Sequence, residues 1–259
     1  MTADSVVISG ASRGLGAALA LGLARPGVRL HLLGRDAAAL AAVAGECAAK
    51  GAEALWVSLE VTDAEAMAAQ LLAWDAARPL RLLVANAGVS AGTRPDGAPE
   101  GHAAALRQIR VNLEGALNLV EPVLPAMLAR GGGAVLLVAS VMAFRGLPDM
   151  PGYSASKAGL WAYGEALRAA HAGAGLRVTV AAPGFFRSAM SARVQGGGHF
   201  GQVSAEAMAA SLLRAVAQGR GRVVAPWWLG AALRGLALLP PGLGDRLARR
   251  VRYRVMPGG

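Results

Sequence analysis

Lysine is almost missing from this chain: only Lys50 and Lys157 occur, against 24 arginines. A position that needs nothing but a positive charge receives arginine here, so a lysine inside a pattern asks for a chemical reason. Cysteine is rarer still, and the lone Cys47 excludes a disulfide framework within the chain and suits a reducing cytoplasm. The four histidines, His31, His102, His171 and His199, lack metal-ligand spacing, and no metal is expected. Long apolar runs are lacking too. The most apolar window, 223–241, is broken by Pro226 and Arg234, whereas a spanning helix needs ~20 apolar residues. The first residues show no basic-then-apolar pattern of a secretory signal. Aromatics make up 5% of the chain and do not interleave with basic runs, so nucleic acid is not an expected partner.

What is present is an ordered composition of 259 residues, 54% hydrophobic, with a net charge of +10. The charge fits an arginine-biased soluble surface or attraction to anionic ligands. Short β-branched and leucine-rich runs alternate with alanine-rich helical stretches. "SVVIS" (5–9) reads as a buried strand, and "VRLHLLG" (28–34), "AEALWVSLEV", "LRLLVANAG", "GAVLLVAS" (133–140), "LRVTVAAPG" (176–184) and "GRVVAP" as further strands. Helices lie between them, with Asp36, Asp63 and Ser204 as N-caps. One helical stretch covers 101–130 with a break inside, and another covers 152–172. Alternation of this kind implies a parallel sheet covered on both faces.

"SGASRGLG" places Gly10, Gly14 and Gly16 between the first strand and the first helix. Two glycines let the backbone turn sharply and approach a pyrophosphate at a helix N-terminus, and the third lets helix and sheet pack closely. The expected architecture is therefore α/β: a three-layer, Rossmann-type, doubly wound parallel sheet of about seven strands in a single domain. Residues 1–226 form the dinucleotide-binding catalytic part, and 227–259 form a C-terminal helical extension. An acidic residue ending the second strand would hold the ribose 2′-OH of NAD. Here Arg35 ends it and Arg13 lies in the glycine turn, and two guanidiniums can clamp a 2′-phosphate. Asp36 argues for NAD unless it is the helix cap. The expectation is NADP(H) over NAD(H).

"YSASK" sets Tyr153 and Lys157 four residues apart, on one face of a helix. A free phenol titrates near ~10, too high for good acid–base work at neutral pH. A neighbouring ammonium lowers that value, so the spacing predicts a proton-transferring tyrosine tuned by its lysine.

Taken in order, the glycine turn, "NAG" at Asn86–Gly88, Asn112, Ser140 and Tyr153-x-x-x-Lys157 resemble the short-chain dehydrogenase/reductase family over about residues 5–225. The resemblance implies hydride transfer between a nicotinamide and a carbonyl or alcohol. Tyr153 would donate or accept the proton, and Lys157 would tune it and meet the nicotinamide ribose. Ser140 would hold the substrate oxygen, and Asn112 would organise a water that relays protons to Lys157. The implied cofactor contacts are Gly10, Ser12, Arg13, Gly14, Leu15, Gly16, Arg35, Glu60, Val61, Asn86, Ala87, Gly88, Tyr153, Lys157, Pro183, Gly184, Phe186 and Ser188. Two positions depart from the family pattern: Glu60 stands where aspartate is usual, and Ala85 where asparagine is commoner. The rival readings are a catalytically idle NADP-binding sensor and a membrane-associated interaction protein on the same fold.

Val141, Met142, Phe144, Met150, Phe185 and Met190 are expected to line an apolar substrate cleft, and the glycines 196–198 to hinge a lid. A small hydrophobic carbonyl or alcohol is the expected substrate, and a homo-dimer or homo-tetramer the expected assembly. In the tail, Trp227, Trp228 and five arginines within 246–254 fit a peripheral contact with the inner face of a membrane, or a helix pair that covers the core or a subunit interface. The expected location is the cytoplasm.

Overall fold

The computed structural model describes residues 4–186, 189–196 and 203–256. Apolar runs without alternating polarity become strands buried on both faces, β1 (Ser5–Ser9) and β2 (Arg29–Gly34). β3 (Glu53–Ser58), at the sheet edge, has no buried residue; the three are interleaved with helices α1 (Gly14–Leu23), α2 (Ala37–Ala49) and α3 (Ala64–Ala77). β4 (Leu82–Ala85) follows. Then comes a helical stretch of α4 (His102–Ile109), a π-helical turn at Arg110–Glu114, α5 (Gly115–Val120) and α6 (Leu124–Ala129). β5 (Gly133–Val138), α7 (Pro151–His171) and β6 (Leu176–Pro183) complete the centre of the chain. Beyond them lie α8 (Ala189–Ala192), β7 (Val194–Gly196), α9 (Ala205–Ala217), β8 (Arg222–Ala225), α10 (Trp227–Ala237), α11 (Pro241–Ala248) and β9 (Tyr253–Val255).

Seven strands form one parallel sheet in the order β3-β2-β1-β4-β5-β6-β8, within a single domain. Side chains alternate across it. Val6, Ile8, Leu30 and Leu32 meet α1, α2 and α9 on one face, while Val7, Leu33, Leu83 and Leu137 meet α3, α5 and α7 on the other. Each fully buried leucine contributes about 1.5–3 kcal/mol by leaving water. Asp36, Asp63 and Ser204 cap their helices through the N–H groups of Ala39, Ala66 and Ala207. Chain order reverses between β1 and β4, which opens a crevice at the carboxyl ends of those strands.

The expected break inside 101–130 is present and includes a π-helical turn carrying Asn112. Two outcomes differ from the sequence expectation. The third strand stops at Ser58, three residues before Val61. The tail is two helices separated at Pro240, followed by a strand, β9, that pairs antiparallel with β7 in a second small sheet. No helix among the described residues is long and apolar enough to cross a membrane.

Candidate active site

The carboxyl ends of β1 and β4 are tied by Ser9 and Asn86. Ser9 Oγ accepts the N–H groups of Asn86 and Ala87, each at 3.1 Å, and Asn86 Nδ2 donates to the carbonyls of Ser9 and Gly10 at 3.1 and 3.2 Å. The Asn86 amide is thereby spent on fixing the glycine turn. Gly10 and Gly14 take φ values of 68° and 57°, where side chains are strained. A methyl at Gly16 would fall 2.0 Å from the Gly10 carbonyl, so this glycine allows the turn to fold onto the helix. Beside Gly14 a methyl would meet nothing within 4 Å, which leaves that flank of the backbone open.

The turn borders a cleft of about 1100 Å³ that runs on to Ser140, Tyr153 and Lys157. At its outer end, Arg35 Nη1 lies 3.5 Å from Glu60 Oε1, with both side chains about half exposed. Asp36 accepts from Ala39 N–H at 3.0 Å, the geometry of a helix cap. Arg13 borders the cleft with no partner among the described residues.

α7 carries the central pair. Pro151 starts it and Arg168 and His171 close it, as the helix dipole favours. Lys157 is buried; its Nζ donates to the Val138 carbonyl at 2.8 Å and lies 5.8 Å from the centre of the Tyr153 ring. Burial lowers its pKa to about 8. Burial also pushes the Tyr153 phenol above its ordinary value, and the neighbouring Ser140 hydroxyl opposes that shift by hydrogen bonding without cancelling it. The sequence-based expectation of an acidified tyrosine is thus reversed in this structure. Desolvation is the largest cause and decides the sign.

Asn112 joins three segments from the π-helical turn, a distortion often found at functional sites. Its Oδ1 accepts Val89 N–H at 2.7 Å, and its Nδ2 donates to Val89 O at 3.0 Å and Ser156 Oγ at 2.9 Å. Ser156 Oγ donates in turn to the Tyr153 carbonyl at 2.8 Å. Gly88 lies over this junction: a methyl there would be 3.2 Å from Asn112 Oδ1 and 3.5 Å from Lys157 Nζ. Ser140 caps the 3-10 turn Val141–Ala143, with its Oγ accepting Met142 N–H at 3.2 Å.

Ser12, Leu15, Val61, Ala87, Pro183, Gly184 and Phe186 also line the cleft, as do Val141, Met142, Met150 and Phe185. Phe144 does not. Its ring packs edge-on against Trp161 at 4.8 Å, with the Arg234 guanidinium 3.7 Å from its centre, so it belongs to the seam under α10. Ser188 and residues 197 and 198 of the expected hinge lie outside the described residues, as does the side chain of Met190. His102, Leu106 and Arg110 escaped the sequence reading, and so did Arg107. The first three recur every fourth residue, the one signal that could have marked them as a cleft-facing stripe.

Residues 4–197 match the family described as short chain dehydrogenase. A Myxococcus xanthus protein described as an uncharacterized oxidoreductase is 38% identical over 253 residues, covering 97% of this chain and 99% of its own. Among solved structures, a short chain dehydrogenase from Burkholderia cenocepacia in complex with NADP has a TM-score of 0.77 at 28% identity, covering 94% of this chain and 96% of its own. A short chain dehydrogenase/reductase from Burkholderia phymatum in complex with NAD has a TM-score of 0.79 at 25% identity, covering 89% and 92%.

Proposed function

The chain belongs to the short-chain dehydrogenase family of oxidoreductases, and on that footing we propose that it is an NADP(H)-dependent carbonyl reductase or alcohol dehydrogenase acting on a hydrophobic small molecule. One observation carries the reading: Tyr153, Ser140 and Lys157 open into the same cleft as the Gly10–Gly16 turn. The dinucleotide fits this cleft. The open flank of Gly14 accepts a pyrophosphate, and the Lys157 ammonium keeps donors beyond its bond to Val138 for ribose hydroxyls. When bound, the cofactor supplies or takes the hydride.

The protein's own part is proton transfer and positioning. A phenol holds its proton at neutral pH, so Tyr153 can donate to a carbonyl oxygen during reduction; the burial that raises its pKa makes it a weaker acid, which the hydrogen bond with Ser140 partly offsets. Ser140 is placed beside the phenol to hold that oxygen, and both stabilise negative charge as it develops there. Asn112, bound to Val89 and Ser156, holds the loop after β4 against the start of α7.

The preference for NADP(H) is supported by Asp36, whose carboxylate is engaged as a cap, and by Arg13 and Arg35 at the same end. The neighbours solved with NADP and with NAD are compatible with either cofactor. Apolar Val141, Met142, Met150 and Phe185 support a hydrophobic substrate. Oxidation of NADPH and NADH over a panel of hydrophobic ketones and aldehydes tests the proposal. A chain that binds NADPH and reduces none of them is the idle sensor instead.

We also read the exposed face of residues 227–250 as a peripheral membrane contact; the rest of the expected stretch, 251–254, includes Tyr253, which is buried against the cleft wall. Trp227 and Leu238 are 75% and 87% exposed and sit in the same segment as Arg246, Arg249 and Arg250. Co-sedimentation with anionic vesicles, compared between the wild type and a Trp227→Ser, Leu238→Ser double variant, tests it.

A further inference from the structure

The substrate half of the cleft is backed by a strand from the far end of the chain. β9 pairs with β7, Val255 opposite Val194 and Tyr253 opposite Gly196. Its backbone also reaches the loop after β4: Val255 N–H donates to Thr93 O at 2.9 Å, and Thr93 N–H donates to Asp149 O at 2.7 Å. A methyl at Gly92 would fall 2.4 Å from the Asp149 carbonyl oxygen and 2.9 Å from Val255 Cγ2, so the segments close only over a bare Cα. Arg193 spans the same seam, donating to Ser90 O at 3.3 Å and to Met256 O at 2.9 Å. Tyr253 and Val255 are buried in one apolar cluster with Met142, Met150 and Val194, which line the cleft. The Tyr253 ring lies 5.4 Å from that of Phe185, another lining residue.

Asp149 closes this assembly. It is only 3% exposed, yet its carboxylate accepts Tyr253 N–H at 2.9 Å, lies 3.2 Å from Arg254 Nη1 and lies 3.2 Å from Arg252 Nε. The three partners are consecutive residues at the start of β9. A buried carboxylate is costly unless fully partnered, and removing its partners leaves an uncompensated charge. Such a group adds little net stability, and in some proteins it fixes where its partners sit.

We propose that Asp149 latches β9 behind the substrate wall, and that this strand sets how bulky a carbonyl the cleft admits. What the wall sorts rests on the reductase reading; the latch does not. Asp149 acts through the wall and is a positioning residue. Two variants test the idea. Asp149→Asn keeps the shape and loses the charge, and Val255→Ala thins the backing without touching the latch.

Amide hydrogen exchange reads the latch. In Asp149→Asn, exchange across β7 and β9 should accelerate roughly tenfold or more while β1 and β5 stay unchanged. Turnover over a series of ketones of increasing bulk reads the sorting. In both variants the ratio of kcat/KM between the bulkiest and the smallest substrate should shift roughly tenfold, while the Kd for NADPH stays within about twofold. Unchanged exchange in Asp149→Asn overturns the latch, whatever the turnover. An unchanged substrate ratio, or a uniform fall in all substrates and in cofactor affinity, overturns the sorting role. A wild type that reduces nothing, with the exchange coupling intact, defeats the reductase reading and the sorting but leaves the latch standing.

Discussion

Lys157 stands one helical turn beyond Tyr153, its ammonium 5.8 Å from the centre of the phenol ring and bound to the carbonyl of Val138. The tyrosine is the proton carrier of the proposed reaction, and phenylalanine preserves its shape without the hydroxyl. Tyr153→Phe should therefore lower kcat by about 10²–10⁴-fold. The Kd for NADPH, measured by fluorescence titration, should stay within a small factor of wild type. Wild-type-like turnover in this variant would remove Tyr153 from the mechanism.

The lysine gives the pH dependence. Burial brings its pKa down to about 8, so the protein holds the charge below that pH and loses it above. Plotted as kcat/KM for the dinucleotide, which reports the free enzyme, activity should fall as pH rises through about 8. Lys157→Met should be weakly active with no alkaline limb near that value. A limb that persists in the variant would assign the titration to another group.

Arg35 faces Glu60 across 3.5 Å with both side chains about half exposed. Such a pair is worth at most ~1 kcal/mol, so the guanidinium is easily drawn to a better anion. A charged hydrogen bond to a 2′-phosphate is worth about 1.5–3 kcal/mol, so Arg35→Ala should weaken NADPH binding by about 10–100-fold. NADH binding should barely change. Equal weakening of the two would defeat the 2′-phosphate assignment.

His31 is fully buried in β2, stacked on Trp74 at 4.4 Å, and neither ring nitrogen has a hydrogen-bond partner. Desolvation, aided by Arg29, lowers its pKa from 6.5 to about 4. Between those values the unfolded chain takes up a proton that the folded chain refuses. Stability from this site is therefore full above about pH 6.5 and falls as pH drops toward about 4, by up to roughly 3 kcal/mol. Urea unfolding at pH 7 and pH 4.5 should show a smaller acid loss for His31→Phe than for the wild type. An equal loss would place the acid sensitivity elsewhere.

The central sheet was legible because its inner strands are buried on both faces, so their apolar runs need no alternation to be seen. The glycine turn and the Tyr153–Lys157 spacing were legible for the same local reason: both lie within a few residues. Features that depend on distant packing were not. "YRV" at 253–255 is too short to read as a strand, and its partner β7 lies far back in the chain. Phe144 sits four residues after Ser140, and an offset of that size does not say on which side of a 3-10 turn a ring emerges; here it emerges against Trp161. The sign of the Tyr153 shift escaped because spacing shows which charges are near but not how dry the site is. His102, Leu106 and Arg110 escaped because a stripe running from α4 into the π-helical turn belongs to no local motif.

The bond from Tyr253 N–H to the Asp149 carboxylate joins residues 104 positions apart. Closing so long a loop is entropically slow, and β9 has only three residues with which to drive it. A chain cut short before Tyr253 would keep the residues of the glycine turn and α7 but lose the strand that backs Met142 and Met150.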